Sequence, residues 1–303
     1  MRILVLSDSH SKGKNPRNRI DNFHESILLK LEETIELSKK CDIVIHLGDV
    51  WDTPIISNSI VDDWLDRIEE AGIPWYILPA NHDMIGGKWE TSSSSALAHV
   101  FRRSKIVRKL ESMELIDCII NAYPYYFCCE DDIKEKGLTS KKSDKFKIAC
   151  THAFITIKPF HPDVLHVQAK DIKNNHDLTL CSHFHFDFDE TIGKTRYLNI
   201  NSFGRTSIKE QHQPNVAIID TATKEVNIIP LKSAKKVEEI FDLTKYEETK
   251  DSKRDIKEFL DSLRDVNFQS MNVGEQIVKI GKDQNVDQKV IDYLLEKIGK
   301  SND

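Results

Sequence analysis

The chain has 303 residues, 39% of them hydrophobic, and a formal net charge of −6, enough apolar material for one sizeable core with a small appendage. That charge excludes a global basic field of the kind that advertises non-specific nucleic-acid binding, although local basic segments can still supply one. No apolar run approaches the ~20 residues that cross a bilayer as a helix. Residues 2–7 are a continuous apolar run ending at Asp8; it predicts a buried first strand and is too short, with no small-residue cleavage site, for a secretory signal. Phe23, Ile27, Leu28, Leu31 and Ile35 share one helical face. Residues 42–47 repeat the buried-strand pattern and end at Gly48-Asp49. Ile60, Val61, Trp64, Leu65 and Ile68 predict a second amphipathic helix, closed by Gly72. Residues 74–78 predict a third strand, ending at Asn81-His82. Alternation of this kind implies right-handed crossovers and a largely parallel sheet.

Further strand-like runs follow at 114–120, 146–151, 178–182, 195–200, 215–220 and 225–230. The expected class is α/β (α+β), with two packed mixed sheets flanked by helices. Gly86-Gly87 followed by Ser92-Ser93-Ser94-Ser95 reads as a mobile loop. Beyond Leu231 the composition turns to Lys, Glu and Asp. Ser252 with Asp255 resembles a capping box ahead of Ile256, Phe259, Leu260 and Leu263. Asn272 with Glu275 repeats that signal, and Val290, Ile291, Leu294 and Ile298 mark a last helix before Gly299. The division expected is 1–232 as a catalytic domain and 233–303 as a charged linker with short helices. Six cysteines form no CxxC pair, which suits reduced thiols and a cytoplasmic protein.

Chemistry-bearing residues close each apolar strand: Asp8-Ser9-His10, Gly48-Asp49-Val50-Trp51-Asp52, Asn81-His82-Asp83, Thr151-His152 and Ser182-His183-Phe184-His185. The carboxyl ends of strands are where α/β sites assemble. Clusters of Asp, His and Asn suit divalent metals with mixed oxygen and imidazole ligands. On an extended segment Asp8 and His10 would point one way and Ser9 the other. His46, inside a strand pattern, reads as structural, and His24, His99, His161, His166, His176 and His212 carry no motif.

The ordered set D-x-H, GDxxD, N-H-D, H, H-x-H resembles the calcineurin-like metallophosphoesterase superfamily over residues 8–185. Residues 48–52 lack the Asp-Arg-Gly continuation of the Ser/Thr protein phosphatases. They are more similar to the SbcD-type (meiotic recombination nuclease-like) DNA repair exonucleases, as are residues 73–78 and Asn201-Ser202-Phe203-Gly204-Arg205-Thr206-Ser207. The resemblance implies a four-layer fold and two divalent ions, Mn2+ before Mg2+. Asp8, His10, Asp49 and His185 would hold one ion, and Asp49, Asn81, His152 and His183 the other. It implies an activated hydroxide as nucleophile, His82 as proton donor to the leaving oxygen, and Asp52 orienting His82 by a hydrogen bond. Ala80, Thr151 and Ser182 stand where the family commonly has glycine, which would strain the loops if those positions need a positive φ.

Two basic segments bear on the substrate. Lys12, Lys14, Arg17 and Arg19 follow His10 directly, and are expected, with Arg205, to contact DNA phosphates. Arg102, Arg103, Lys105, Arg108 and Lys109 read equally well as a solvated face. The expected function is a metal-dependent DNA exo- or endonuclease; the alternative is a metallophosphatase or cyclic-nucleotide phosphodiesterase acting on a small molecule. The resemblance also implies an SbcC-type coiled-coil ATPase docked through the C-terminal helices, and a homodimer is a further assembly to consider.

Overall fold

The computed structural model describes residues 1–162 and 164–244. The helix signals beyond Ser252 lie outside the described residues. In chain order the elements are β1 (Arg2–Leu6), α1 (Phe23–Ser38), β2 (Ile43–His46), α2 (Asn58–Ala71), β3 (Trp75–Ile77), α3 (Ala96–Arg103) and β4 (Val107–Lys109). They continue with β5 (Met113–Glu114), β6 (Cys118–Tyr123), α4 (Cys129–Lys136), β7 (Phe146–Thr151), β8 (Ile155–Thr156) and β9 (Val167–Gln168). The last are β10 (Leu178–Cys181), β11 (Phe188–Ile192), β12 (Thr195–Asn199), β13 (Asn215–Asp220), β14 (Glu225–Pro230) and α5 (Val237–Ile240).

Two six-stranded mixed sheets result, in the orders β14-β13-β1-β2-β3-β4 and β11-β12-β10-β7-β6-β5. In the first, β1 to β4 are parallel and β13 and β14 antiparallel. In the second, β12, β10, β7 and β6 are parallel and the two edge strands antiparallel. Side chains alternate across each strand. Ile3 and Val5 of β1 therefore join Ile148, Cys150, Leu178 and Leu180 between the sheets. Leu4 and Leu6 face outward onto Phe23, Ile27 and Leu31 of α1 and Trp64 and Leu65 of α2. On the far side, Cys129 and Ile133 of α4 cover Cys181 and Tyr197. Strands buried on both faces read as continuous apolar runs, which is why β1 and β2 are visible in the sequence.

Several local expectations change. The run at 114–120 is two strands, β5 and β6, joined by a turn whose Ile116 is 95% exposed. The serine run is a built cap. Ser92 and Ser95 are buried, Ser92 Oγ accepts from Ile85 N at 2.9 Å, and Ser95 Oγ caps α3 through Ala98 N. Gly72 ends α2 with φ 71°, as its place in the sequence predicts. Among the described residues past 232, the segment through Phe241 packs on the catalytic body. Ile240 and Phe241 are buried, and Ile240 O accepts from Ile20 N at 2.9 Å.

Candidate metal centre

The centre forms where the loops after β1, β2, β3, β7 and β10 meet. The first two are zipped together: Asp8 N donates to Gly48 O (3.1 Å), His10 N to Asp49 O (2.9 Å) and Ser11 N to Val50 O (2.8 Å). Asp8, His10, Asp49 and His183 all take left-handed backbone angles, with φ of 52°, 45°, 54° and 71°. Such angles are costly for non-glycine residues and persist only where the surroundings over-determine them. The segment after β1 is therefore kinked, not extended. Ser9 still turns aside, its Oγ 2.8 Å from His46 Nε2. Gly48 has φ 102°, and a Cβ there would lie 2.5 Å from Ala80 Cβ and 2.8 Å from both His152 Nδ1 and Leu78 O. Ala80 itself is extended, with φ −131°, and neither Thr151 nor Ser182 has a positive φ. The three glycine replacements thus cause no backbone strain.

Six of the seven expected ligands fall into two clusters. Asp8, His10 and His185 form one cluster and Asp49, His152 and His183 a second, with the donor atoms of each within 4.8 Å of one another. Asp49 Oδ2 faces both, 3.7 Å from His10 Nε2 and 3.2 Å from His152 Nε2. His10 Nε2 and His185 Nε2 stand 3.1 Å apart. Asn81 Oδ1 and His152 Nε2 are buried with no hydrogen-bond partner among the described residues. Unpartnered buried acceptors and converging imidazoles beside two buried carboxylates fit divalent cations well.

Supporting groups fix the imidazoles. His152 Nδ1 lies 2.7 Å from Leu47 O, with Ser182 Oγ 2.9 Å from the same nitrogen. His185 Nδ1 lies 2.7 Å from Glu210 Oε1. Each contact leaves Nε2 to face the centre. Glu210 also accepts from Ser202 Oγ (3.0 Å) and Thr206 N (2.8 Å). Asp83 pins the loop that carries Asp49, its carboxylate accepting from Asp49 N (2.9 Å), Val50 N (3.1 Å) and Trp51 N (3.3 Å). Glu210, Asp83 and Ser182 were not singled out as functional from the sequence. Asp83, within the N-H-D motif, carried the clearest signal; a lone Glu in a polar loop carried none.

Burial sets much of the electrostatics. It raises the pKa of Asp8 and of Asp83, where neighbouring Asp49 adds to the shift. Burial opposes ionisation of Asp49 too, but His152 and His82 hold its pKa well below the usual value. Burial lowers His10 and His183. It also opposes the charged form of His152 and His185, yet Asp49 lifts the former and Glu210 the latter to about 9.

Three expected roles need correction. His82 Nδ1 lies 2.7 Å from the backbone carbonyl of Asp52, not its carboxylate, which pairs with Lys12 Nζ at 3.0 Å. Arg19 does not face a ligand: it is buried, pairs with Asp21 at 2.6 Å and donates to Arg205 O at 2.7 Å. Arg205 is buried as well, donating to Lys235 O at 2.6 Å. Lys14 and Arg17 remain exposed. In the second basic segment Arg103 pairs with Asp62, and Lys109 lies 3.8 Å from Glu111. Beside the centre opens a cavity of about 350 Å³, lined among others by Lys12, Arg17, Lys209, Phe154, Phe184 and Phe186.

A family model described as Calcineurin-like phosphoesterase matches residues 1–187. The DNA double-strand break repair protein Mre11 of Thermoplasma acidophilum is 25% identical over 259 residues, covering 77% of this chain and 66% of that protein. The chain therefore spans just under two-thirds of that relative's length. Among solved structures, a novel archaeal phosphodiesterase is 16% identical, covers 76% of this chain and all of its own, and has a TM-score of 0.41. A dimetal phosphatase from Danio rerio is 9% identical over 77% of this chain and 99% of its own, with a TM-score of 0.43.

Proposed function

Because the chain belongs to the calcineurin-like phosphoesterase family, we propose that it is a two-metal phosphodiesterase of the SbcD type that cleaves the DNA backbone in repair, recombination or replication. The observation that carries the metal chemistry is Asp49, whose Oδ2 lies 3.7 Å from His10 Nε2 and 3.2 Å from His152 Nε2, between the two ligand clusters. Asp8, His10, Asp49 and His185 would hold one ion and Asp49, Asn81, His152 and His183 the other, with the mixed nitrogen and oxygen donors favouring Mn2+ over a pure Mg2+ site. When bound, such ions polarise a phosphoryl group and lower the pKa of water.

The protein supplies the rest. Asp8 and Asp49 offset cationic charge inside a buried centre. The bond between Asp52 O and His82 Nδ1 leaves His82 Nε2 available to the leaving oxygen, where a proton is needed. Arg17 and Lys14 are exposed cations suited to flanking phosphates. Support for DNA as substrate comes from the likeness to a double-strand break repair protein and from the motifs at residues 48–52 and 201–207. We assign an SbcC-type ATPase as partner, docked through residues beyond 244, a homodimer as a further assembly, and the cytoplasm as the compartment.

A second reading, a phosphatase or cyclic-nucleotide phosphodiesterase for a small molecule, is favoured by the size of the cavity, about 350 Å³, near the lower end of small-ligand sites. Incubating the protein with linear DNA, a cyclic nucleotide and p-nitrophenyl phosphate in Mn2+ separates the two. Degradation of DNA supports the nuclease; turnover of the small esters with intact DNA replaces it with the second reading.

A further inference from the structure

Phe154, Phe160, Phe184 and Phe186 form a connected aromatic wall beside the metal ligands. Ring centroids are 5.0 Å apart for Phe154 and Phe184, 5.7 Å for Phe160 and Phe184, and 5.2 Å for Phe184 and Phe186. Phe154 is buried and also meets His183 at 5.6 Å, so the wall is anchored to a ligand. Phe184 sits between His183 and His185 in sequence, and its carbonyl accepts from Asn199 Nδ2 at 2.6 Å. Its place is thus set by the same turn that presents the two imidazoles. Phe186 at the mouth is 37% exposed. A large ring left half in water beside a polar centre marks a surface made for a ligand face.

The same cavity is also lined by the cationic and hydroxylic side chains of Lys12, Arg17, Thr206 and Lys209. A ligand that satisfies both kinds of lining carries an anion and a flat apolar face, within about 350 Å³. Building on the phosphodiesterase reading, we infer that Phe184 and Phe186 form a subsite for the base of one nucleotide whose phosphate lies at the metal ligands. A base inside a duplex has both faces covered by its neighbours and reaches such a wall only after leaving the stack. The substrate is therefore a single-stranded or terminal nucleotide unit, not the interior of a duplex.

The test compares thymidine 5′-monophosphate with deoxyribose 5-phosphate, each titrated calorimetrically into Mn2+-loaded protein, and thymidylyl-thymidine with its abasic analogue as substrates. The wild type is expected to prefer the base-bearing member of each pair by roughly 5- to 150-fold, the range of base stacking on aromatic side chains. Phe186→Ala is expected to shrink the preference, and Phe186→Trp to retain it. Equal binding of the two phosphates by the wild type, or an undiminished preference in Phe186→Ala, overturns the subsite. If neither dinucleotide is cleaved while the binding preference and its loss in Phe186→Ala persist, the subsite stands and the diesterase reading falls.

Discussion

The imidazole Nδ1 of His82 lies 2.7 Å from the backbone carbonyl oxygen of Asp52, while the Asp52 carboxylate turns to Lys12 Nζ, 3.0 Å away. Orientation of the imidazole therefore comes from the loop and not from the ionisable group. His82→Ala is expected to lose ~10²–10⁴-fold in kcat on a diester while keeping its metals. Asp52→Asn keeps the carbonyl and gives up only a part-exposed ion pair with Lys12, so its kcat is expected to fall far less. Steady-state rates with Mn2+ for both variants decide it. A loss in Asp52→Asn as deep as in His82→Ala would show that the carboxylate itself acts on the reaction.

Glu210 is expected to behave as a positioning residue for His185. Its Oε1 lies 2.7 Å from His185 Nδ1, and removal of such partners costs ~10–100-fold in metal affinity. Glu210→Gln should weaken the ion held by Asp8, His10 and His185 by that factor and spare the ion held by His152 and His183. Two-site calorimetry of Mn2+ binding reads both. Equal weakening of the two sites would mean that the variant has disturbed the fold and not one ligand.

How much of this was legible before folding depends on the length scale of each signal. β1 and β2 announced themselves because burial on both faces makes a strand uniformly apolar. β11 did not, since its Asp189, Glu190 and Thr191 are exposed at a sheet edge. Asp8, His10, Asp49, His152, His183 and His185 meet because each follows a strand end within four residues, and parallel strands bring those ends to one edge. Glu210 reaches His185 across 25 positions, and nothing local marks it. Arg19 was misjudged because a run of basic residues reports charge and not direction. Asp21, two positions further on, turns it inward.

The catalytic body is expected to end near 244 and not at 232. Phe241 and Ile240 are buried, and the Arg19 guanidinium lies 5.4 Å from the Phe241 ring centroid. Burying side chains of that size contributes ~1.5–3 kcal/mol each. A chain ending at 244 should melt close to the full chain, and one ending at 232 several degrees lower. If docking of the ATPase uses residues beyond 244, the longer truncate also fails to co-purify with it. Coincident melting of the two truncates would place the boundary back at 232.

Lys30 offers a pH signature. Its ammonium is fully buried, donates to Phe203 O, and is held well below its ordinary value of 10.5, first by burial and then by Arg205 and Arg19. Between the folded and unfolded values the unfolded chain binds more protons, so stability rises with pH in that window. Lys30→Met removes the titration. The melting temperature of the variant minus that of the wild type is therefore expected to fall as pH rises from 7 towards 10. A difference that stays constant would mean that Lys30 titrates alike in both states.

Arg17 and Arg19, two positions apart, are expected to separate binding from folding. Arg17 is exposed, borders the cavity and forms no ion pair or hydrogen bond among the described residues. Each cation that neutralises a duplex phosphate steepens the salt dependence of binding by roughly 0.9 in log–log slope, and by ~0.7 for a single strand. Arg17→Ala should weaken DNA binding and flatten that slope by one such step, with the melting temperature unmoved. Arg19 has a fully buried side chain paired with Asp21 at 2.6 Å and holds the carbonyls of Gly204 and Arg205. Breaking a buried pair from one side costs ~3–5 kcal/mol, so Arg19→Ala should lower the melting temperature. The salt slope of whatever protein stays folded should be unchanged. Fluorescence anisotropy with a labelled oligonucleotide over a salt series, beside thermal melts, gives both quantities. A flattened slope in Arg19→Ala with no loss of stability would put its guanidinium on the DNA after all.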